Sequence, residues 1–100
     1  MVVDFVVEDV ANGEELVFVT GFTNEGDVRI GTLFTCILER PFDDERSQMS
    51  AKTVALKVEA IMAYSQYLDV LSRSVSGGIL LSGLGRELLS KDVMLRSKPS

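Results

Sequence analysis

Val19-Thr20-Gly21-Phe22-Thr23-Asn24-Glu25-Gly26-Asp27-Val28-Arg29-Ile30-Gly31-Thr32-Leu33-Phe34 is the stretch on which the reading of this chain turns. Its glycines stand five residues apart, each opening or closing a short segment rich in β-branched residues. Asn24-Glu25-Gly26-Asp27 reads as a turn, because Gly26 accepts the positive φ of a tight connection and Asn and Asp tolerate turn geometry. Gly31 marks a second bend, after Val28 and Ile30 have pointed one way and Arg29 the other. A strand, a turn, a short extended piece and a further strand make a barrel-forming unit, not a catalytic motif.

Outward from this unit the pattern stays β. Val3-Asp4-Phe5-Val6-Val7-Glu8-Asp9-Val10 reads as a first strand, and Asn12-Gly13 as the turn that ends it. In 16–22, Leu16, Phe18 and Phe22 lie on one side and Val17 and Val19 on the other, so both faces are apolar. Residues 33–38 form the next strand, with Cys36 expected as a small buried residue at its middle. The polar run Pro41-Phe42-Asp43-Asp44-Glu45-Arg46-Ser47-Gln48 reads as a mobile acidic loop at about 41–50. Periodicity alone does not decide 52–71: Val54, Leu56 and Val58 alternate as in a strand, while Ala51, Val54, Ala55, Val58, Ile61, Met62 and Leu68 also fall near helical spacing. Gly77-Gly78 open a strand through Ile79 and Leu81, residues 86–89 fit one helical turn, and Val93-Met94-Leu95 closes the series.

The chain of 100 residues is read as one domain, and 46% hydrophobic residues mark it as folded, since disorder needs low hydrophobicity and high charge. No apolar run approaches the roughly 18 residues of a membrane span. The acidic start lacks the basic flank of a secretory signal, and the single Cys36 excludes an internal disulfide framework. A cytoplasmic protein with no membrane partner is expected. Charge is uneven: residues 1–50 carry eleven acids against three arginines, a balance of −8, and residues 51–100 seven bases against four acids, a balance of +3. The resulting net charge of −5 disfavours broad binding to a phosphate backbone.

Catalytic chemistry is missing. Without histidine there is no ordinary Ser-His-Asp or Cys-His arrangement and no zinc set. Asp43-Asp44-Glu45 lacks the spacing of a calcium loop and reads as a solvated charge run. Gly77-Gly78 and Gly83-Leu84-Gly85 lack the lysine and following helix of a phosphate-binding loop. No catalytic residue, metal site or cofactor is expected.

Taken in order, these pieces resemble the second, β-barrel domain of elongation factor Tu and the related barrel of other translational GTPases. Val7-Glu8-Asp9-Val10 is similar to the opening strand of that family. Val19-Thr20-Gly21, Gly26 and Val28-Arg29-Ile30-Gly31 reproduce its glycine spacing without a gap, and Leu81-Ser82-Gly83-Leu84-Gly85-Arg86-Glu87 with Val93-Met94-Leu95 and Lys98-Pro99 matches its end. The resemblance implies an all-β fold, a closed six- to seven-stranded antiparallel barrel, with 52–71 as two strands joined near Ala63-Tyr64-Ser65-Gln66. Val7, Phe18, Val28, Ile30, Leu33, Val54, Leu56, Val58, Ile79 and Leu81 are the expected core.

In elongation factor Tu this barrel forms part of the pocket for the aminoacylated end of tRNA. Glu8, Asp9 and Thr20 match that pattern and are the candidate binding residues, with strand-end residues satisfying turns as their plainer reading. The family's aromatic is replaced, since Ala11 follows Val10. Counted back from Gly83, its acidic, arginine and amide positions fall on Met62, Ser65 and Ser76. With so little to stack on a base or pair with a phosphate, aminoacyl-tRNA binding does not carry over. The expected function is that of a non-catalytic binding module for another protein. The alternative is a binder of a tRNA or single-stranded nucleic-acid end through Lys52, Lys57, Arg73, Arg86 and Lys91.

Overall fold

Side chains that alternate between an apolar lumen and solvent build nearly every element of the computed structural model, which describes residues 2–39 and 50–97. The strands are β1 (Asp4–Asn12), β2 (Leu16–Glu25), β3 (Val28–Arg29), β4 (Leu33–Glu39), β5 (Ser50–Ala63), β6 (Gln66–Leu68), β7 (Val70–Leu71), β8 (Ser76–Leu84) and β9 (Met94–Ser97). One 3₁₀ turn, Arg86–Leu88, interrupts them. The large sheet runs β4-β9-β1-β2-β8-β5-β6, and β4 pairs again with β5. That last pairing closes six antiparallel strands into a barrel, with β6 as an extra strand beside β5. Closure leaves no long exposed edge on the six, which removes the main aggregation hazard of a β protein.

The lumen is filled by Phe5, Val7, Val19, Phe34, Leu56 and Leu81, all fully buried, with further aliphatic residues between them. Val7, Val28, Val54, Leu56, Val58, Ile79 and Leu81 lie in the core as expected. Phe18, Ile30 and Leu33 do not. Val17 and Val19 take the inward phase of β2, so Phe18 lies half-buried on the outer face. Ile30 is 47% and Leu33 48% exposed because the chain turns between β3 and β4. There the Thr32 N–H donates to the Arg29 carbonyl at 3.0 Å, and the Arg29 N–H donates to Thr32 Oγ1 at 2.9 Å. Ile30 occupies the outer corner of this turn, and Phe34, not Leu33, takes the inward phase of β4.

Residues 52–71 are strand throughout the expected segments. The register of β5 against β8 slips between Val58 and Ala60, leaving Glu59 as a bulge. Val54, Leu56 and Val58 face the lumen before it, and Ile61 and Ala63 after it. This change from even to odd positions is what gave the segment its helix-like spacing. The turn at Tyr64-Ser65, both with positive φ (54° and 61°), joins β5 to β6 as a two-residue hairpin. A second slip between Phe34 and Cys36 leaves Cys36 half-buried, not enclosed.

Gly26 turns the chain with φ 71°, as its place between β2 and β3 requires. β3 then pairs with β7 in a small separate sheet over one end of the barrel, joined to it by the Gly31 N–H to Val58 carbonyl bond (2.9 Å) and the Val58 N–H to Thr32 carbonyl bond (2.9 Å). Beside the Gly26 turn, buried Asp4 lies opposite Glu25 and receives two bonds from the Arg96 guanidinium, at 2.8 and 3.2 Å. The Asp4 hydrogen bond raises the Arg96 pKa. The expected acidic loop at 41–50 lies outside the described residues, apart from Ser50 at the start of β5. No helix among the described residues is long and apolar enough to cross a membrane.

Candidate functional site

The register of the barrel aligns one residue from each of five strands on its outer face. Asp9 of β1 lies opposite Thr20 of β2, Thr20 opposite Gly78 of β8, Gly78 opposite Met62 of β5, and Met62 opposite Tyr67 of β6. Four interstrand steps make this row about 19 Å long. A carboxylate stands at one end and a 77%-exposed tyrosine at the other.

Each end of the row has a local cause. The register of β1 against β2 slips between Val7 and Asp9, so Glu8 is an extra residue and the consecutive side chains of Glu8 and Asp9 are both exposed. At the other end the β5–β6 hairpin carries Tyr64 on its turn, 82% exposed, and Tyr67 just beyond it. Gly78 lacks a side chain at the centre, and the Phe18 ring occupies the space its Cβ would need. Phe18 therefore forms an apolar floor, not a core side chain.

Two shallow depressions meet over this floor. The larger, about 350 Å³, is lined by Glu8, Phe18, Thr20, Met62, Tyr64 and Ser76 among others. The smaller, about 230 Å³, is lined by Asp9, Val10, Ala11, Phe18 and Thr20. Phe18 and Thr20 belong to both, so the pair forms one groove running across the strands. Its charged lining residues are the carboxylates Glu8 and Asp9. Asp9 Oδ1 also accepts the Val10 N–H at 3.0 Å, which holds its carboxylate close to the bulge.

A third hollow, about 410 Å³, lies between the β1–β2 turn and the 3₁₀ turn. Its one cation, Arg86, is already engaged: Nε donates to the Gly83 carbonyl at 3.0 Å and a terminal nitrogen to the Glu14 carbonyl at 3.1 Å. Arg86 is thus a clamp between two turns, and the hollow offers a ligand little. Among the described residues no three His, Cys, Asp or Glu side chains come close enough to hold a metal ion.

Of the residues singled out in the sequence, Glu8 and Thr20 share the larger depression, and Asp9 and Thr20 the smaller. Met62, Ser65 and Ser76, also singled out in the sequence, line the larger one as well. Sequence reasoning misses Phe18, Tyr64 and Tyr67 as site residues. The signal for the tyrosines is their spacing of three around a two-residue turn; Phe18 gives none, because both faces of its strand are apolar.

No family model and no curated protein matches the chain. Among solved structures it is similar to translation elongation factor SelB from Methanococcus maripaludis in its apo form, with a TM-score of 0.72. It is similar also to the same factor in complex with the GTP analogue GppNHp, with a TM-score of 0.71. Identity is 15% in both, and each match covers 100% of this chain and 20% of the SelB chain. The chain thus spans about one fifth of the factor it matches. At that identity the likeness shows the fold: an elongation factor Tu domain 2-like barrel of six closed strands with one added.

Proposed function

We propose that this barrel is a non-catalytic, cytoplasmic binding module that docks another protein across the outer face of β1, β2, β8, β5 and β6. The observation that carries the reading is the groove over Phe18, with Tyr64 and Tyr67 projecting beside it. Large aromatic side chains held out in water on a rigid hairpin are the residue types that anchor protein interfaces. A rigid barrel presents them at little ordering cost. The test is affinity capture from the source cell's lysate with the intact chain and with a Tyr64→Ser/Tyr67→Ser variant. The expected result is a reproducible protein retained by the first and lost by the second; no protein retained above the bare matrix overturns the reading.

A second reading, a binder of a nucleic-acid end, has one observation in its favour. The groove gathers the very positions, from Glu8 to Ser76, that the resemblance assigns to the aminoacyl-tRNA pocket. Its candidate cations, however, are spread over separate elements. Lys52 is paired with Glu39 at 3.4 Å, Lys57 approaches Glu59 at 4.0 Å, and Arg86 is bound to backbone carbonyls. Titration with labelled tRNA and single strands at low salt decides the matter, since absence of affinity there removes this reading.

A further inference from the structure

The groove's charge and shape narrow the partner further, on the premise that the barrel is a protein-binding module. We infer that its occupant is a short, extended, basic segment of the partner, laid across the strands with lysine or arginine against Glu8 and Asp9. The bulge at Glu8 places two consecutive carboxylates on the outer face, and neither forms an ion pair with a cation of the described residues. The nearby floor, Phe18, Leu80, Ala60 and Met62, is half-buried and apolar, and would seat the aliphatic stems of such side chains. At the far end the exposed faces of Tyr64 and Tyr67 favour a guanidinium or ammonium group. Acid at one end and aromatic faces at the other thus both favour cations, whereas the only charges a phosphate chain would meet among the groove's lining residues are the carboxylates Glu8 and Asp9. About six residues of extended chain span the ~19 Å of the row.

The probe is a fluorescein-labelled peptide of about six to eight residues, composed of lysine, leucine and serine. A glutamate-for-lysine counterpart and a labelled single-stranded oligonucleotide of similar length serve as comparisons, each titrated against the full chain by fluorescence polarisation. The basic peptide is expected to bind in a salt-dependent manner, and the acidic peptide and the oligonucleotide to bind at least about tenfold more weakly. Glu8→Lys/Asp9→Lys is expected to weaken the basic peptide at least about tenfold, and Tyr67→Ala about threefold to tenfold, with unchanged melting temperatures. Equal binding of the two peptides, tighter binding of the oligonucleotide, no binding of the basic peptide, or indifference to Glu8→Lys/Asp9→Lys overturns the inference. The two readings fail separately. A cellular protein captured equally by the intact chain and by Glu8→Lys/Asp9→Lys leaves the docking role standing and removes the basic segment from this groove.

Discussion

Replacing Gly83 by alanine tests how tightly β8 is laid against β5. Gly83 sits opposite Leu56 with φ 120°, and an added Cβ would overlap the Ala55 carbonyl oxygen and stand 3.1 Å from its carbon. A side chain in so rare a backbone region costs about 1–3 kcal/mol. The carbonyl cannot swing aside as a side-chain tip could, because Ala55 is paired with Leu84 of β8 and the adjoining Leu56 with both Gly83 of β8 and Phe34 of β4. Relief must come from opening one or two ladder bonds, at about 0.5–1.5 kcal/mol each. The total is about 3 kcal/mol, a fall in melting temperature of about 12–24 °C for a domain of this size. Gly31→Ala isolates the conformational part, since Gly31 has φ 91° and a Cβ added there would meet nothing within 4 Å. It is expected to cost about 1 kcal/mol, or about 4–8 °C. Thermal unfolding followed by circular dichroism gives both values, and equal losses, or a smaller one at Gly83, would refute the close approach of the two strands.

Leu81→Ala, which empties part of the lumen, is expected to cost about 2–5 kcal/mol in urea unfolding, against less than about 0.5 kcal/mol for the exposed Ile30→Ala. A large loss at Ile30 would contradict its place at the outer corner of the turn. Gly78→Ala is expected to cost about 1–2 kcal/mol in the native background and far less in Phe18→Ala, because the obstacle is the Phe18 ring; additive losses in this double-mutant cycle would show that the ring lies elsewhere. Asp4→Asn is expected to cost about 1–2 kcal/mol, a range lowered for the partial exposure of Arg96. The Arg96 pKa is raised by Asp4, so this contribution is fully present below the arginine's ordinary value and fades only as pH rises through the raised one. The difference in stability between the native chain and Asp4→Asn is therefore expected to stay flat from neutral pH to about pH 10, and a decline within that range would argue against the pair.

Much of the fold was legible because glycine and β-branched residues mark where strands end and bend. Gly26, Gly31 and the Tyr64-Ser65 connection stand at the corners expected of them. What escaped was phase. One extra residue at Glu8, at Glu59 or between Phe34 and Cys36 reverses which side chains face inward, and no local pattern announces such a slip. Phe18 escapes for a related reason: with apolar residues on both faces of β2, hydrophobicity does not say which face is the lumen. The pairing of β3 with β7 was hidden because two-residue strands carry no periodicity. Glu8, Asp9 and Thr20 could be named from the family's motif, but their alignment with Met62 and Tyr67 depends on long-range register that the sequence does not display.

The barrel exists only if β4 closes the sheet by pairing on both of its flanks. Ile37 lies opposite Lys52 of β5 and, on its other side, opposite Leu95 of β9. Backbone NOEs in a labelled sample of the full chain test this directly. Cross-strand NOEs from Ile37 to both Lys52 and Leu95 are predicted; contacts to one of them alone would mean an open sheet and would contradict the barrel.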